Sequence, residues 1–227
     1  MLSNTKNKDI KTLGYIMRRT NYGEADRILN IITPNGKVAA IAKGVRKEKS
    51  KLAGGVEMFT LAEYNIHFGK GELGIITMAR MKRYCGEIVK DLDKLELAAN
   101  ILKKVSCAAD NVDSPDFFSI VDQSLKAIDT KSDLRIVEAW SLLNIKRVMG
   151  EEVNLYRDTL SQELAENKKY NWDTQEMAFV ENMLGEYEAN DIKFLRLMVK
   201  GNLGIIKRVK VYDDTVVKAL RLAQMVI

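Results

Sequence analysis

The chain has 227 residues, of which 46% are hydrophobic and 30% charged, and its formal net charge is +5. This composition excludes a disordered chain, and no apolar run approaches the roughly 18 residues that cross a bilayer. Two cysteines and one histidine are too few for a disulfide scaffold or a typical structural zinc site.

The charge is unevenly distributed along the sequence. Residues 1–83 contain 16 Lys and Arg against 7 Asp and Glu, a net charge of +9, whereas residues 84–227 carry a net charge of −4. A basic half beside a mildly acidic half predicts two modules with different partners. The basic module is suited to a polyanion.

Up to about residue 83, hydrophobic residues recur with period two, which predicts β-strands. The predicted strands lie near residues 13–17, 28–32, 38–42, 62–68 and 73–79. Pro34-Asn35-Gly36 predicts a tight turn between the second and third strands, because Asn-Gly supplies positive φ. Five short strands with one long connection suit a small closed barrel such as the OB-fold. An open five-stranded sheet is the competing interpretation, and periodicity does not separate the two.

After Tyr84 the hydrophobic period becomes helical. Helices are predicted near residues 88–105, 115–128, 134–149, 173–184, 190–199 and 213–225, with a polar loop at 151–171. The helix at 173–184 is expected to be capped by Asp173. We therefore predict an α+β protein, with a five-stranded OB-fold barrel in residues 1–83 and an all-helical domain in residues 84–227.

No group of residues assembles a recognisable active site. The single histidine, His67, excludes most Ser/His and Cys/His catalytic pairs. The motif Gly69-x-Gly71-x-x-Gly74 links two predicted strands, so it predicts a hairpin and not a nucleotide site. Asp26 or its neighbour Glu24 is expected to pair with Arg27 or to cap a turn. We predict a binding protein without enzymatic activity, metal or cofactor.

A basic loop is the strongest functional signal. Five cations lie within residues 43–51, opposed only by Glu48, and four more lie on neighbouring strands and turns. Many such runs are simply solvated, but this one lies on a module of net charge +9, which favours phosphate binding. Tyr22, in a polar loop, is the aromatic residue best placed to be exposed for base stacking. The candidate DNA-binding residues are Arg18, Arg19, Arg27, Lys37, Lys43, Arg46, Lys47, Lys49 and Lys51.

These residues lie in a longer pattern that resembles the bacterial recombination mediator family RecO. The order and spacing match the N-terminal domain of that family, and the resemblance fades through the helical half. The segments that carry it are GYIMRR at 14–19, YGEADRIL at 22–29, TP at 33–34, GK at 36–37, AKGVR at 42–46, SKLAG at 50–54 and FTL at 59–61.

The resemblance implies an OB-fold followed by a helical domain. It implies binding to single- and double-stranded DNA, annealing of complementary strands, and help in loading the RecA recombinase onto strands covered by the protein SSB. RecR is the implied partner, together with the acidic C-terminal tail of SSB. Many relatives carry a four-cysteine zinc module after the Gly150 region, but residues 154–160 here contain no cysteine, so no metal is expected.

The resemblance also implies where the SSB tail docks. An acidic peptide that ends in an apolar residue and a carboxylate needs an apolar pocket with a cation at its rim. The family's pocket surrounds the helix that here contains residues 134–138, with Arg135 at the matching place and Lys146 and Arg147 further along. The competing interpretation is that Arg135 is a solvated helix residue.

Two other functions remain open. An OB-fold RNA-binding factor would share the electrostatics and prefer RNA. A nuclease is disfavoured, because the sequence lacks a histidine pair and a cluster of carboxylates. The polar start of the sequence carries no export signal, so we expect a cytoplasmic protein at the bacterial nucleoid.

Overall fold

The structure, a computed structural model, describes residues 8–227. Most of the polar start on which the expectation of a cytoplasmic protein rests therefore lies outside the described residues. The chain divides into two compact units, Met1–Asp129 and Thr130–Ile227. The domain boundary that we predict at residues 83 and 84 stays a prediction. Within residues 8–227, no helix is long and apolar enough to cross a membrane.

The first unit contains a closed five-stranded barrel. Its strands are β1 (Lys8–Tyr22), β2 (Asp26–Thr33), β3 (Gly36–Ala42), β4 (Thr60–Phe68) and β5 (Gly74–Tyr84). They follow the order β1-β2-β3-β5-β4, and β4 pairs back to β1. The β3–β5 pair is parallel and the other neighbours are antiparallel. A small closed barrel of this order has the OB-fold arrangement, so the predicted α+β class is confirmed.

The barrel core follows from the alternation of side chains along each strand. On β4, Ala62, Tyr64 and Ile66 are buried, and the residues between them are only partly covered. Strand β1 serves both neighbours in turn, since residues 8–15 pair with β4 and residues 15–22 pair with β2. The last part of β1 and the start of β2 therefore form a hairpin at one end of the barrel.

Two helices complete the first unit, α1 (Leu92–Ala108) and α2 (Asp116–Ile128). Ser114 lies one residue before the N-cap Pro115 of α2, and its Oγ accepts a hydrogen bond of 3.3 Å from the Asp116 amide. Tyr15 Oη donates to Asp122 Oδ1 at 2.9 Å, and the Tyr15 ring centroid lies 5.9 Å from that of Phe118. Helix α2 therefore packs directly on β1.

The second unit is mainly helical. It contains α3 (Leu134–Val148), α4 (Ala189–Lys200), the short α5 (Leu203–Ile206) and α6 (Asp213–Met225). Buried Asn144 joins two of these helices, because its Nδ2 donates to Trp140 O at 2.9 Å and to Met198 O at 3.0 Å. This pairing satisfies a polar group that would be costly to bury alone.

The helix predicted at residues 173–184 is wrong. This segment contributes to a hairpin of β6 (Tyr170–Asp173) and β7 (Ala178–Glu181). Asp173 caps the hairpin turn instead of a helix. Its Oδ1 accepts hydrogen bonds from the amides of Gln175 at 2.8 Å and Glu176 at 3.0 Å. The Phe179 ring packs edge-on against Trp172 at 5.1 Å, and this aromatic packing stabilises the strand pair.

Candidate nucleic-acid interface

Eight of the nine predicted DNA-binding cations lie at one end of the barrel. This end is formed by the end of β1, the start of β2 and the β3–β4 connection, which we define as residues 43–59. We call it the basic surface, and its cations are Arg18, Arg19, Arg27, Lys43, Arg46, Lys47, Lys49 and Lys51.

The β3–β4 connection is held against the β1–β2 turn by specific hydrogen bonds. The Arg46 amide donates to Ala25 O at 2.9 Å, and the Gly44 amide donates to Asp26 Oδ1 at 2.7 Å. Arg46 Nη1 also donates to Gly23 O at 3.4 Å. Asp26 therefore caps the start of the connection, and the two basic segments become neighbours.

The rest of the connection is anchored in the barrel. Val45 and Val56 are buried in the core cluster, and Tyr64 Oη donates to Gly55 O at 2.9 Å. A Cβ atom at Gly55 would lie 2.6 Å from Ala79 Cβ, so only glycine allows this close approach. The cations of the connection are therefore carried on a backbone that packing and hydrogen bonds define.

Most of these cations have no acidic partner. Arg19 forms an ion pair with Glu57 at 3.0 Å, and Arg27 Nε donates to Asn21 Oδ1 at 3.2 Å. Within residues 8–227, no carboxylate oxygen lies within 4.0 Å of the five exposed cations in the connection, which are Lys43, Arg46, Lys47, Lys49 and Lys51. In that part of the chain these cations have no ion-pair partner, so a phosphate can bind them without displacing a carboxylate.

Lys37 is separated from the basic surface. It pairs with Ile32 near the β2–β3 turn, whereas Arg27 pairs with Ala42 at the other end of the same two strands. Five residue steps along β3 correspond to about 17 Å. Lys37 is also ion-paired with Asp110. Lys37 is therefore separated from Arg27 and the connection, although its partner Ile32 lies only two residues along β2 from Asn30, the partner of Arg18.

The aromatic residues divide as the sequence predicts. Tyr22 is 57% exposed at the β1–β2 turn, beside the basic surface. Tyr15, Phe59 and Tyr64 are buried in the first unit. Tyr22 is thus available to a base, whereas these three serve the core.

Arg80 is a cation that the sequence analysis did not single out. It is exposed on β5 and directly follows Ala79, the residue that touches Gly55 of the connection. The signal available in the sequence was the basic run Arg80-Met81-Lys82-Arg83 at the end of β5, of which the first three residues are exposed. Lys82 is ion-paired with Glu63 at 3.3 Å, whereas Arg80 has no ion pair among residues 8–227 and adds an exposed positive charge to β5.

The three cations predicted to dock a partner lie on α3, and each already has a protein partner. Arg135 Nη2 donates to Asp133 and to Asp213, both at 2.7 Å, and these hydrogen bonds raise the pKa of Arg135. Lys146 and Arg147 also contact polar side chains. The docking prediction stays a prediction, and a peptide carboxylate would have to exchange with Asp133 or Asp213.

Other chemistry is sparse in the part of the chain that the structure describes. No three His, Cys, Asp or Glu side chains among residues 8–227 come together as a possible metal site. Cys85 is a buried free thiol and Cys107 an exposed one. His67 Nδ1 lies 2.7 Å from Asp9 Oδ1 on the barrel surface. The arrangement that stands out is therefore the cluster of exposed cations on the basic surface.

Comparison with known proteins places the barrel in a family. Residues 8–84 match the family described as "Recombination protein O N terminal". "DNA repair protein RecO" of Dehalococcoides mccartyi strain 195 is 49% identical over 67 residues, which cover 29% of this chain and 26% of that protein. The protein of the same name from Desulfitobacterium hafniense strain DCB-2 is 30% identical over 138 residues, or 60% of this chain and 50% of that protein.

A third relative extends the match. "DNA repair protein RecO" of Roseiflexus sp. strain RS-1 is 28% identical over 147 residues, which cover 64% of this chain and 52% of that protein. The matched part of the chain thus spans between 26% and 52% of the length of these relatives. The two longer matches are too long to be confined to the barrel, which ends at Tyr84. Residues 8–84 are therefore similar to the N-terminal domain of the RecO family, and the longer matches past Tyr84 are to proteins named "DNA repair protein RecO".

Proposed function

We propose that this protein is a recombination mediator in DNA repair, which acts by binding DNA and catalyses no covalent step. The observation that carries the proposal is the basic surface. It places eight cations at one end of a closed barrel, and five of them have no carboxylate within 4.0 Å among residues 8–227. The similarity to the RecO N-terminal family and to proteins named "DNA repair protein RecO" supports DNA repair as the process.

Binding through phosphates predicts that single- and double-stranded DNA both bind. Contacts to phosphates carry no sequence information and depend strongly on salt, because each contact releases bound counterions. Exposed Tyr22 adds a ring on which an unpaired base can stack. We therefore expect sequence-independent binding with a preference for strands that have free bases.

Annealing of complementary strands would follow from the same charges. Two strands repel each other through their phosphates, and cations that screen both backbones lower this repulsion. Binding both strands to one protein also raises their local concentration. No bond is made or broken, so this activity requires no catalytic residue.

The family suggests the partners. We propose that the protein works with RecR and helps to load RecA onto strands covered by SSB, in the cytoplasm at the nucleoid. The SSB tail would dock on α3 at Arg135, with Lys146 and Arg147 further along the helix, after its carboxylate replaces one of the two aspartates that now hold Arg135.

The basic surface is tested by replacing Arg46, Lys47, Lys49 and Lys51 together with alanine. The change should weaken binding of single- and double-stranded oligonucleotides alike in fluorescence anisotropy titrations. It should also flatten the dependence of log affinity on log salt by roughly 0.7–0.9 for each lost phosphate contact. A matched control removes the same charge at exposed lysines elsewhere in the first unit, Lys11, Lys82, Lys90 and Lys103.

Four outcomes would contradict parts of the proposal. Unchanged affinity in the first variant would place the DNA site elsewhere, and equal losses in both variants would reduce the effect to net charge. Tighter binding of RNA than of DNA of the same sequence would favour an OB-fold RNA-binding factor. The annealing role fails if the protein does not accelerate pairing of SSB-coated complementary oligonucleotides.

A further inference from the structure

The second unit has balanced charge overall, but its charges are separated along the chain. Residues 130–227 contain 15 Lys and Arg and 15 Asp and Glu. Within them, residues 163–191 contain eight Asp and Glu against two Lys, whereas residues 192–212 contain six Lys and Arg and no Asp or Glu. Such a segment creates a local positive potential that the net charge of the unit conceals.

Helix α4 presents three of these cations on one side. Lys193, Arg196 and Lys200 are spaced by three and four residues, so they follow one face of the helix. Arg196 Cζ lies 4.6 Å from the centre of the Tyr156 ring, and Lys200 Nζ lies 4.9 Å from it. Tyr156 is 42% exposed. An aromatic ring accompanied by two cations therefore lies at the surface beside α4.

A pocket of about 350 Å³ continues this face of α4. Its lining includes Lys193 and Leu197 of α4 together with Lys210 and Tyr212 from the segment before α6. Tyr212 is 80% exposed, and Lys193 is the one of these cations with an ion pair, to Glu166 at 2.8 Å. The pocket thus joins the cations of α4 to those that follow α5.

The nearby carboxylates do not neutralise the cations that follow α5. Asp213 is bound to Arg135 at 2.7 Å, and Asp214 is bound to Lys218 at 2.6 Å. By contrast, Lys207, Arg208 and Lys210 are exposed and have no carboxylate oxygen within 4.0 Å in the described part of the chain. Asp213 and Asp214 are thus ion-paired within the second unit, whereas Lys207, Arg208 and Lys210 are exposed to solvent.

We propose that this region is a second binding site, for single-stranded nucleic acid. We call it the α4–α5 surface, and it consists of Tyr156, Lys193, Arg196, Lys200, Lys207, Arg208, Lys210 and Tyr212. The cations suit phosphates, and the two exposed tyrosines supply rings on which unpaired bases stack. An acidic peptide would match the charge but would make no use of two separate aromatic rings flanked by cations.

The binding proposal rests on residues of the second unit alone. Its consequence for annealing does rest on the proposed function, because a protein that pairs two strands benefits from two separate surfaces that each hold one. The tests below therefore use the full chain with the basic surface either intact or disabled.

The first test measures binding of a fluorescent oligothymidylate of about 15 nucleotides, close to the largest site sizes of single-strand-binding modules. In the variant without Arg46, Lys47, Lys49 and Lys51, we expect weaker binding to remain. Adding Lys207→Ala, Arg208→Ala and Lys210→Ala should lower this remaining affinity at least tenfold and flatten the salt slope by about 2, or roughly 0.7 for each contact.

The control replaces three other cations of the second unit that are already ion-paired, Lys168, Lys169 and Arg221. It removes the same charge and should change the affinity less than twofold. Two results would overturn the proposal. One is that the variant without Arg46, Lys47, Lys49 and Lys51 no longer binds the oligonucleotide at all. The other is that the control substitutions lower its remaining affinity as much as the changes at Lys207, Arg208 and Lys210. If the first variant binds like the wild type, the basic surface fails as the DNA site while the α4–α5 surface stands.

The second test separates stacking from charge. Tyr212→Ala should lower the remaining affinity by roughly five- to a hundredfold, the range for loss of one stacked base, and Tyr212→Phe should preserve it. Unchanged binding by Tyr212→Ala would contradict a site for unpaired bases. Tighter binding of a labelled polyglutamate peptide than of the oligonucleotide, lost on replacing Lys207, Arg208 and Lys210, would make the surface a protein-docking site instead.

Discussion

At the scale of single residues, Asp122 links the barrel to helix α2. Its carboxylate accepts hydrogen bonds from Tyr15 Oη at 2.9 Å and Arg83 Nη2 at 2.8 Å, and it pairs with Lys126 at 2.6 Å. Burial alone would raise the pKa of Asp122, but the hydrogen bonds from Lys126, Arg83 and Tyr15 outweigh burial and lower it. Burial and the nearby Asp122 charge raise the pKa of Tyr15, which therefore stays a neutral donor.

Asp122→Asn should lower the free energy of unfolding by about 1.5–3 kcal/mol near neutral pH, as expected for hydrogen bonds to a charged group. The folded protein holds the pKa below the ordinary Asp value of about 3.9. The contribution is therefore fully present above about pH 4 and is lost as the pH falls through the lowered pKa. Urea unfolding of both proteins at about pH 7 and about pH 3 checks this.

The difference between the two proteins should shrink at the lower pH. Exposed Glu96 on α1 provides a control, because Glu96→Gln should change stability little at either pH. An equal loss from Asp122→Asn at both pH values would contradict a role for the ionised carboxylate.

Arg135, which we predict to bind a partner, already forms ion pairs within the protein. Asp133 caps α3 and Asp213 lies in the first turn of α6, and both carboxylates bind the same guanidinium. Arg135 therefore joins two helix starts, whether or not a peptide also uses it. A change at Arg135 alone would not separate these two roles, but a change at Asp213 does.

Arg135→Ala should lower the affinity for an SSB-tail peptide by about 1.5–3 kcal/mol, if the guanidinium binds the terminal carboxylate. Asp213→Asn should raise that affinity, because it removes a competing carboxylate from the same guanidinium. Asp214→Asn is the matched control, since Asp214 is bound to Lys218 and should not matter. Calorimetric titration with the peptide measures all three, and equal affinity for wild type and Arg135→Ala would remove Arg135 from the site.

At the scale of elements, the five barrel strands are predictable because their core is built from alternate residues. Ala62, Tyr64 and Ile66 of β4 show this pattern in the sequence itself. Closure of the barrel is less visible, because β3 and β5 meet through only two residue pairs, Ala40 with Gly74 and Ile41 with Ile75. No local pattern records a contact between such distant residues, so a closed barrel and an open sheet look alike in sequence.

The β6–β7 hairpin was missed because aromatic packing outweighed periodicity. Met177, Val180 and Met183 have helical spacing, but Trp172 and Phe179 pair across the hairpin with ring centroids 5.1 Å apart. Aromatic residues on both sides of an Asp-led turn were the available signal for strands. Period alone cannot separate a short helix from a hairpin when both bury the same residues.

The candidate site, like the fold, could be predicted from the sequence only in part. Lys43 to Lys51 could be grouped from sequence because they are close along the chain. Arg27 joins them through the start of β2, which the hydrogen bond from Gly44 to Asp26 brings beside the connection. Lys37 lies six residues before the connection, and the direction of β3 carries it toward the opposite end of that strand.

At the scale of the whole molecule, the change of hydrophobic period near residue 84 and the limit of the first compact unit at Asp129 differ. Helices α1 and α2 contact the barrel at several points. Lys37 pairs with Asp110, which lies just after α1. The contacts of Asp122 with Tyr15 and Arg83 add to these. The barrel sequence therefore relies on groups that lie beyond its last strand.

A fragment that ends at Asp129 should fold by itself and unfold in one cooperative transition. A fragment that ends at Arg83 should lose more than the roughly 1.5–3 kcal/mol of one charged hydrogen bond, because Tyr15 and Arg83 lose Asp122 and the face covered by α2 becomes exposed. Urea unfolding followed by circular dichroism compares the two. Equal stability would support independent folding of residues 1–83, the boundary that the sequence predicts. The longer fragment keeps the basic surface and lacks the α4–α5 surface, so its salt slope for single-stranded DNA should be no steeper than that of the full chain without Lys207, Arg208 and Lys210, which still carries the α4 cations.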